Sequence, residues 1–293
     1  MNSRAMGKLR IFLVAVVLLT AAAFGAETQD SPNKPDYATS ADGVRIAYEV
    51  HGAGPVALVF VHGWSCNRTY WAGQIAPFAK RYEVVAIDLA GHGDSGIGRK
   101  NWTIPAYGAD VAAVVKKLDL KKVILVGHSM GGDVIPEAAL LLPGRVVGLI
   151  WVDTYKKLGP GRSPEEVDAF AAKFSPDFAK TTEEFVRSMF VSTSDPALVE
   201  RVAKGMSSAP PSIAMPSLRA AFSYSREMPG TLQRLKLPVI AINPDTAPTD
   251  VASLNHYGVQ VIIMPGVGHF EMMEDSARFN ELLGTAITRL TAP

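Results

Sequence analysis

The sequence predicts an α/β fold, a mostly parallel sheet flanked by helices, on three observations. Apolar runs of strand length, rich in Val, Ile, Leu and Ala, recur at 56–61, 84–88, 123–126, 147–152, 238–243 and 259–264. Such continuous runs suit strands buried on both faces, and the stretches between several of them carry helical spacing, the alternation that builds parallel sheets. Finally, 48% of the 293 residues are hydrophobic and the net charge is +1. That is enough apolar material for a substantial core in one domain, with no basic excess to draw nucleic acid.

The first segment differs in kind. Arg4, Lys8 and Arg10 precede an apolar stretch at 11–23 that ends in small residues, the pattern of a secretory signal peptide over residues 1–25, with Ala23-Phe24-Gly25 as the cleavage site. The stretch is shorter than the roughly 20 residues a comfortable bilayer span needs, so no stable membrane anchor is expected after cleavage. No cysteine follows it to carry a lipid, and the expected location is the periplasm or the medium. Cys66 is the only cysteine, so the core must hold without an intrachain disulfide.

A polar, proline-containing linker at 26–36 leads to the main domain, 37–293. It opens with an expected hairpin, 44–50 against 56–61. Helical material at 70–81 precedes the strand ending at Asp88. Residues 104–118 space Tyr107, Val111, Val114, Val115 and Leu118 as one apolar helical face and feed the strand at 123–126. After the strand at 147–152 the rhythm breaks. Residues 154–236 contain Pro160, Pro164, Pro176, Pro196, Pro210, Pro211 and Pro216 between helical pieces at 164–174 and 182–191, and no convincing strand. They are expected to form a helical cap inserted before the penultimate strand. Its apolar residues Phe170, Phe174, Phe178, Phe185, Met189, Phe190, Met206, Met215 and Phe222 include pocket candidates, a third of them at most, because a helix shows one stripe to each neighbour. The strands at 238–243 and 259–264 and a closing helical stretch through Leu283 complete the domain.

Gly127-His128-Ser129-Met130-Gly131 follows one strand and opens into a helix. A G-x-S-x-G at such a junction forms a nucleophile elbow, a tight turn that lifts the serine oxygen above the sheet edge at the positive end of the next helix. Ser129 is therefore the candidate covalent nucleophile. His62-Gly63-Trp64 lies at the carboxyl end of an earlier strand, so the backbone N–H groups of Trp64 and Met130 are the candidate oxyanion donors. His269, in Gly266-Val267-Gly268-His269-Phe270 after the last strand, is the candidate general base. His51, His62, His92 and His128 sit in turns and loops that they are expected to brace, and His256, in the polar segment before the last strand, is the rival base. Ser95 lacks the second glycine of an elbow, and Cys66 has no evident base of its own, so both are expected to be structural.

These blocks, with Asp88-Leu89-Ala90-Gly91-His92-Gly93-Asp94-Ser95, make the chain from about Tyr37 onward resemble the α/β-hydrolase superfamily in its serine esterase and lipase branch. The resemblance implies the α/β-hydrolase fold and the order Ser129, acid, His269. It places the acid after the strand that follows the cap, where Asp245 is the first candidate, although the usual turn is absent there. Asp153, ending the strand at 147–152, is the alternative acid, and Asp250 the third.

The expected activity is hydrolysis of a small or medium carboxylic ester through an acyl-enzyme on Ser129, with no metal or organic cofactor required and a small-molecule ester as the partner. A lactonase, an aminopeptidase, a carbon–carbon bond hydrolase and a cofactor-free haloperoxidase can use the same triad. Glu165, Glu166, Glu183 and Glu184, available to bind an amine, read better as a solvated helix face. A non-catalytic ligand-binding protein on this fold is the remaining alternative, suggested only by the irregular acid turn at 243–250.

Overall fold

The computed structural model describes Met1 and residues 34–292. Apart from Met1, the expected signal peptide over 1–25 and most of the expected linker lie outside the described residues. Among those described, no helix is long and apolar enough to cross a membrane.

Eight strands form one sheet: β1 (Asp36–Thr39), β2 (Arg45–His51), β3 (Ala57–Val61), β4 (Glu83–Ile87), β5 (Val123–His128), β6 (Val146–Val152), β7 (Val239–Pro244) and β8 (Val259–Met264). Their order is β1-β2-β4-β3-β5-β6-β7-β8, and from β4 onward every pairing is parallel. All residues of β3 and β5 are buried, as their unbroken apolar sequences require.

The expected hairpin between β2 and β3 does not form. β2 pairs antiparallel with β1 on one side and with β4 on the other, Tyr48 opposite Ile87. The turn that was to close the hairpin instead leans on the first helix. Gly52 has φ +68°, and a Cβ there would stand 2.1 Å from the carbonyl oxygen of Ala79. β3 is thus free to take parallel neighbours on both edges.

A 3-10 turn at Arg68–Trp71 runs into α1 (Ala72–Ala79); α2 spans Ile104–Lys117 and α3 Met130–Leu140. Thr103 caps α2 by accepting from the Ala106 amide, and the predicted face of α2 is buried. Between β6 and β7 stand five helices and no strand: α4 (Pro164–Ala172), α5 (Phe178–Arg187), α6 (Pro196–Ser207), α7 (Pro211–Tyr224) and α8 (Met228–Leu235). Pro164, Pro196, Pro211 and Pro229 open α4, α6, α7 and α8 in their first turns, where the missing N–H costs nothing, whereas Pro216 lies inside α7. Ser163 and Glu166 close a capping box on α4. The chain ends with α9 (Val251–His256), α10 (Glu271–Glu274) and α11 (Ser276–Thr291).

The five-helix segment is tied to the sheet edge. Trp64 donates its indole N–H to the Ala214 carbonyl of α7 at 2.7 Å, and its ring meets Phe174, Phe178 and Phe185 edge-on.

Candidate active site

Ser129 sits between β5 and α3 with φ +52° and ψ −118°. For a residue with a Cβ this backbone costs roughly 1–3 kcal/mol and persists only where the surroundings enforce it. Here they do: the Ser129 amide donates to the Val152 carbonyl at 3.0 Å, and its own carbonyl accepts from Gly132 at 2.8 Å. Two glycines permit the turn. A Cβ on Gly127 would meet the Gly131 carbonyl oxygen at 2.3 Å, and one on Gly131 would meet the Val61 carbonyl oxygen at 2.4 Å. The G-x-S-x-G spacing is thus a packing requirement, because α3 starts in contact with the ends of both β3 and β5.

The Ser129 side chain has no hydrogen-bond partner among the described residues and opens on a cavity of about 620 Å³, which Gly63, Trp64, Met130 and His269 also line. The Met130 amide, at the first position of α3, precedes the helical ladder and is left for a ligand. The Trp64 amide has no acceptor among the described residues either.

His269 is held from several directions. Its amide donates to the Met189 carbonyl at 2.9 Å, and its carbonyl accepts from His128 Nε2 at 2.9 Å. The flanking amides of Gly268 and Phe270 donate to the Glu274 carboxylate at 3.0 and 3.2 Å. Its Nδ1 stands 2.6 Å from Asp153 Oδ2.

The expectation that Asp245 orients His269 is therefore corrected: the partner is Asp153. Asp245 is exposed, and its Oδ1 accepts from the Gly266 amide at 2.9 Å. Asp250 caps α9 through the Ser253 amide. The reason is strand order. β6 neighbours β5, which carries Ser129, whereas β7 lies one strand farther out, roughly another 4.8 Å away. Asp153 leaves β6 with φ +43°, and Lys156 Nζ lies 3.0 Å from its other oxygen. Burial pushes the Asp153 carboxyl up, but its hydrogen bond and charge contact with His269, aided by Lys156, outweigh that and hold it below the ordinary value.

The remaining histidines are placed as loop braces or surface groups. His62 Nδ1–H donates to the Gly63 carbonyl at 2.8 Å while Nε2 accepts from the Leu89 amide at 3.0 Å. His92 likewise joins the Ala90 carbonyl to the Ser65 amide. Burial pushes His92 down to about 4 and His128 to about 3, so both are neutral near pH 7. His51 faces Glu49, and His256 is exposed on α9, away from the cavity. Ser95 is buried, donating to the Asp88 carbonyl at 2.6 Å and accepting from the Ala47 amide at 2.8 Å. Cys66 lines the cavity, but burial pushes its thiol up, away from the reactive thiolate.

Of the nine apolar residues expected to include pocket candidates, Phe185, Met189, Met206 and Phe222 line the cavity, one more than a third; Met189 lies just past α5, where its carbonyl also holds His269. His128 braces the His269 loop, as its place in the elbow suggested; sequence reasoning missed the supporting group Glu274 and the polar wall formed by Asp133, Thr154 and Tyr155. Only Asp133, directly after the elbow motif, offered a signal.

Residues 58–282 match the model of the alpha/beta hydrolase family. The chain belongs to that family. Among curated relatives, an uncharacterised protein of Mycobacterium bovis is 39% identical over 38% of this chain and 32% of its own length. A pimeloyl-[acyl-carrier protein] methyl ester esterase of Aeromonas hydrophila is 33% identical over 48% of this chain and 56% of its own. The chain thus spans about a third to just over half the length of these relatives. Solved α/β-hydrolases align more fully. Est816, an N-acyl homoserine lactone degrading enzyme, is 26% identical with a TM-score of 0.71, covering 85% of this chain and 99% of that one. A thermophilic esterase from Thermogutta terrifontis, at 23% identity and TM-score 0.74 over 88% and 99%, shares the fold.

Proposed function

We propose that this α/β-hydrolase is a serine hydrolase that cleaves small or medium carboxylic esters through an acyl-enzyme on Ser129. The observation that carries the reading is the convergence of the Ser129 elbow, the His269–Asp153 pair and the Trp64 and Met130 amides on one cavity.

In this mechanism His269 Nε2 takes the Ser129 proton as Oγ attacks the ester carbon. The Trp64 and Met130 amides hold the oxyanion, and Asp153 keeps Nδ1 protonated and faces the imidazolium. The tetrahedral intermediate collapses as His269 returns the proton to the leaving alcohol. Water then attacks the acyl-enzyme, giving its proton to His269, and the acid departs with Ser129 regenerated. The apolar wall suits an apolar acyl or alcohol chain.

A lactone, being a cyclic ester, is the second reading, favoured by the likeness to Est816. The 2.6 Å contact between Asp153 and His269 supports turnover over passive ligand binding. Export follows from the residue 1–25 pattern as part of the same proposal.

The test is pre-steady-state hydrolysis of p-nitrophenyl butyrate. A burst of one p-nitrophenol per protein, abolished in Ser129→Ala, is expected. No burst, no turnover and no labelling by a serine-reactive phosphonate would overturn the reading.

A further inference from the structure

Among the described residues, Asp133 is a buried ionisable side chain of the cavity wall that the mechanism leaves without work and whose carboxyl is only half-paired. It lies one helical turn after Ser129, roughly 6 Å along α3. It lines the same cavity and is 6% exposed. Tyr155 Oη–H donates to its Oδ1 at 2.5 Å, while Oδ2 has no partner among the described residues. Among the described residues no cation pairs with it, and the nearby Lys156 is engaged by Asp153 and the Pro244 carbonyl. Beside it, Thr154 packs its side chain on Gly132, with a buried Oγ1 that also lacks a partner. A buried polar group without a partner is costly, and the Thr154 hydroxyl beside an unpaired carboxyl oxygen that faces the cavity calls for a ligand.

Resting on the ester hydrolase reading, we infer that Asp133, positioned by Tyr155, is a specificity subsite that takes an acceptor oxygen of the substrate (carbonyl, ether or hydroxyl) set a few bonds from the scissile ester. Burial pushes the Asp133 carboxyl up to about 8, the Tyr155 hydrogen bond opposing. At pH 7 the free oxygen therefore carries the proton and donates. The preferred ester has an apolar chain for the Phe185, Met206 and Phe222 wall and one oxygen for Asp133. If Asp133 served only to tie α3 to the loop after β6, no substrate would sense its donor.

The experiment compares kcat/KM at pH 7 for p-nitrophenyl hexanoate and its 3-, 4- and 5-oxa analogues, each divided by its alkaline hydrolysis rate, and for butyl against 2-methoxyethyl butyrate. One net hydrogen bond predicts a preference of roughly two- to tenfold for at least one ether-containing ester. Asp133→Leu should remove that preference and Asp133→Asn, which keeps an N–H donor, should retain it. Should Asp133→Leu not fold, Asp133→Ala replaces it. Turnover of all esters without any oxygen preference in the wild type overturns the subsite and leaves the hydrolase reading standing. An oxygen preference that survives in the folded Leu or Ala variant, or equal losses on every ester, also overturns it. No turnover of any ester overturns both.

Discussion

Replacing Asp153 by Asn separates it from Asp245, the first of the three carboxylates that the sequence offered as the acid. Asp153 Oδ2 receives His269 Nδ1 at 2.6 Å, and its charge faces the imidazolium that forms in each proton transfer. The substituted amide removes that charge and can present an N–H in its place, which favours the wrong imidazole tautomer. In the serine protease triad that change lowers kcat by about 10⁴, and at about 1.4 kcal/mol per tenfold it corresponds to a barrier higher by about 5.4 kcal/mol. Lys156 retains the Pro244 carbonyl, so the loop keeps an anchor. Asp245→Asn, by contrast, preserves an oxygen that can accept from the exposed Gly266 amide, and kcat should stay within about twofold. The assay is steady-state hydrolysis of p-nitrophenyl butyrate at pH 7 to 8, with circular dichroism to confirm folding. A folded Asp153→Asn enzyme retaining more than about a tenth of wild-type kcat, or an Asp245→Asn enzyme losing activity as severely, would refute the assignment of Asp153.

Further substitutions probe other parts of the structure. Gly131→Ala places a methyl 2.4 Å from the Val61 carbonyl oxygen, so α3 must move off β3; a loss of roughly 1–3 kcal/mol in urea unfolding and a lower kcat, from the displaced Met130 amide, should appear together. Ser95→Ala strands the buried Ala47 amide and should cost roughly 1–3 kcal/mol of stability while kcat in the folded protein stays within about twofold, whereas a nucleophilic Ser95 would take kcat with it. The Asp133 carboxyl, raised from 3.8 to about 8, binds a proton in the folded state that the unfolded chain has released. Its stabilisation is complete below pH 4 and is lost as pH rises toward 8, by about 1.4 kcal/mol per unit. Asp133→Asn should therefore gain about 3 kcal/mol on the wild type between pH 5 and 7 in chemical denaturation, and parallel curves would disprove the buried, protonated carboxyl.

Much of this molecule was legible locally. The strands at 123–128, 146–152 and 259–264 are apolar enough to declare themselves, and the glycines around Ser129 could be read because a tight strand-to-helix turn tolerates little else. His269 stood out by its place after the last strand. The helical segment between β6 and β7 was recognisable only as an interruption, since several of its prolines mark helix starts without saying how the helices pack.

What the sequence by itself determined is the local chemistry: which serine can occupy a left-handed turn, which histidine follows the final strand, and which segments alternate between strand and helix. Those properties depend on neighbours a few residues away. Only the tertiary structure decided that β4 enters between β2 and β3, that Asp153 meets His269 across 116 residues, and that Asp133 and Tyr155 share one wall. Strand order and loop closure arise from packing between distant segments, and two aspartates ending neighbouring strands look alike until the sheet places one of them beside the nucleophile.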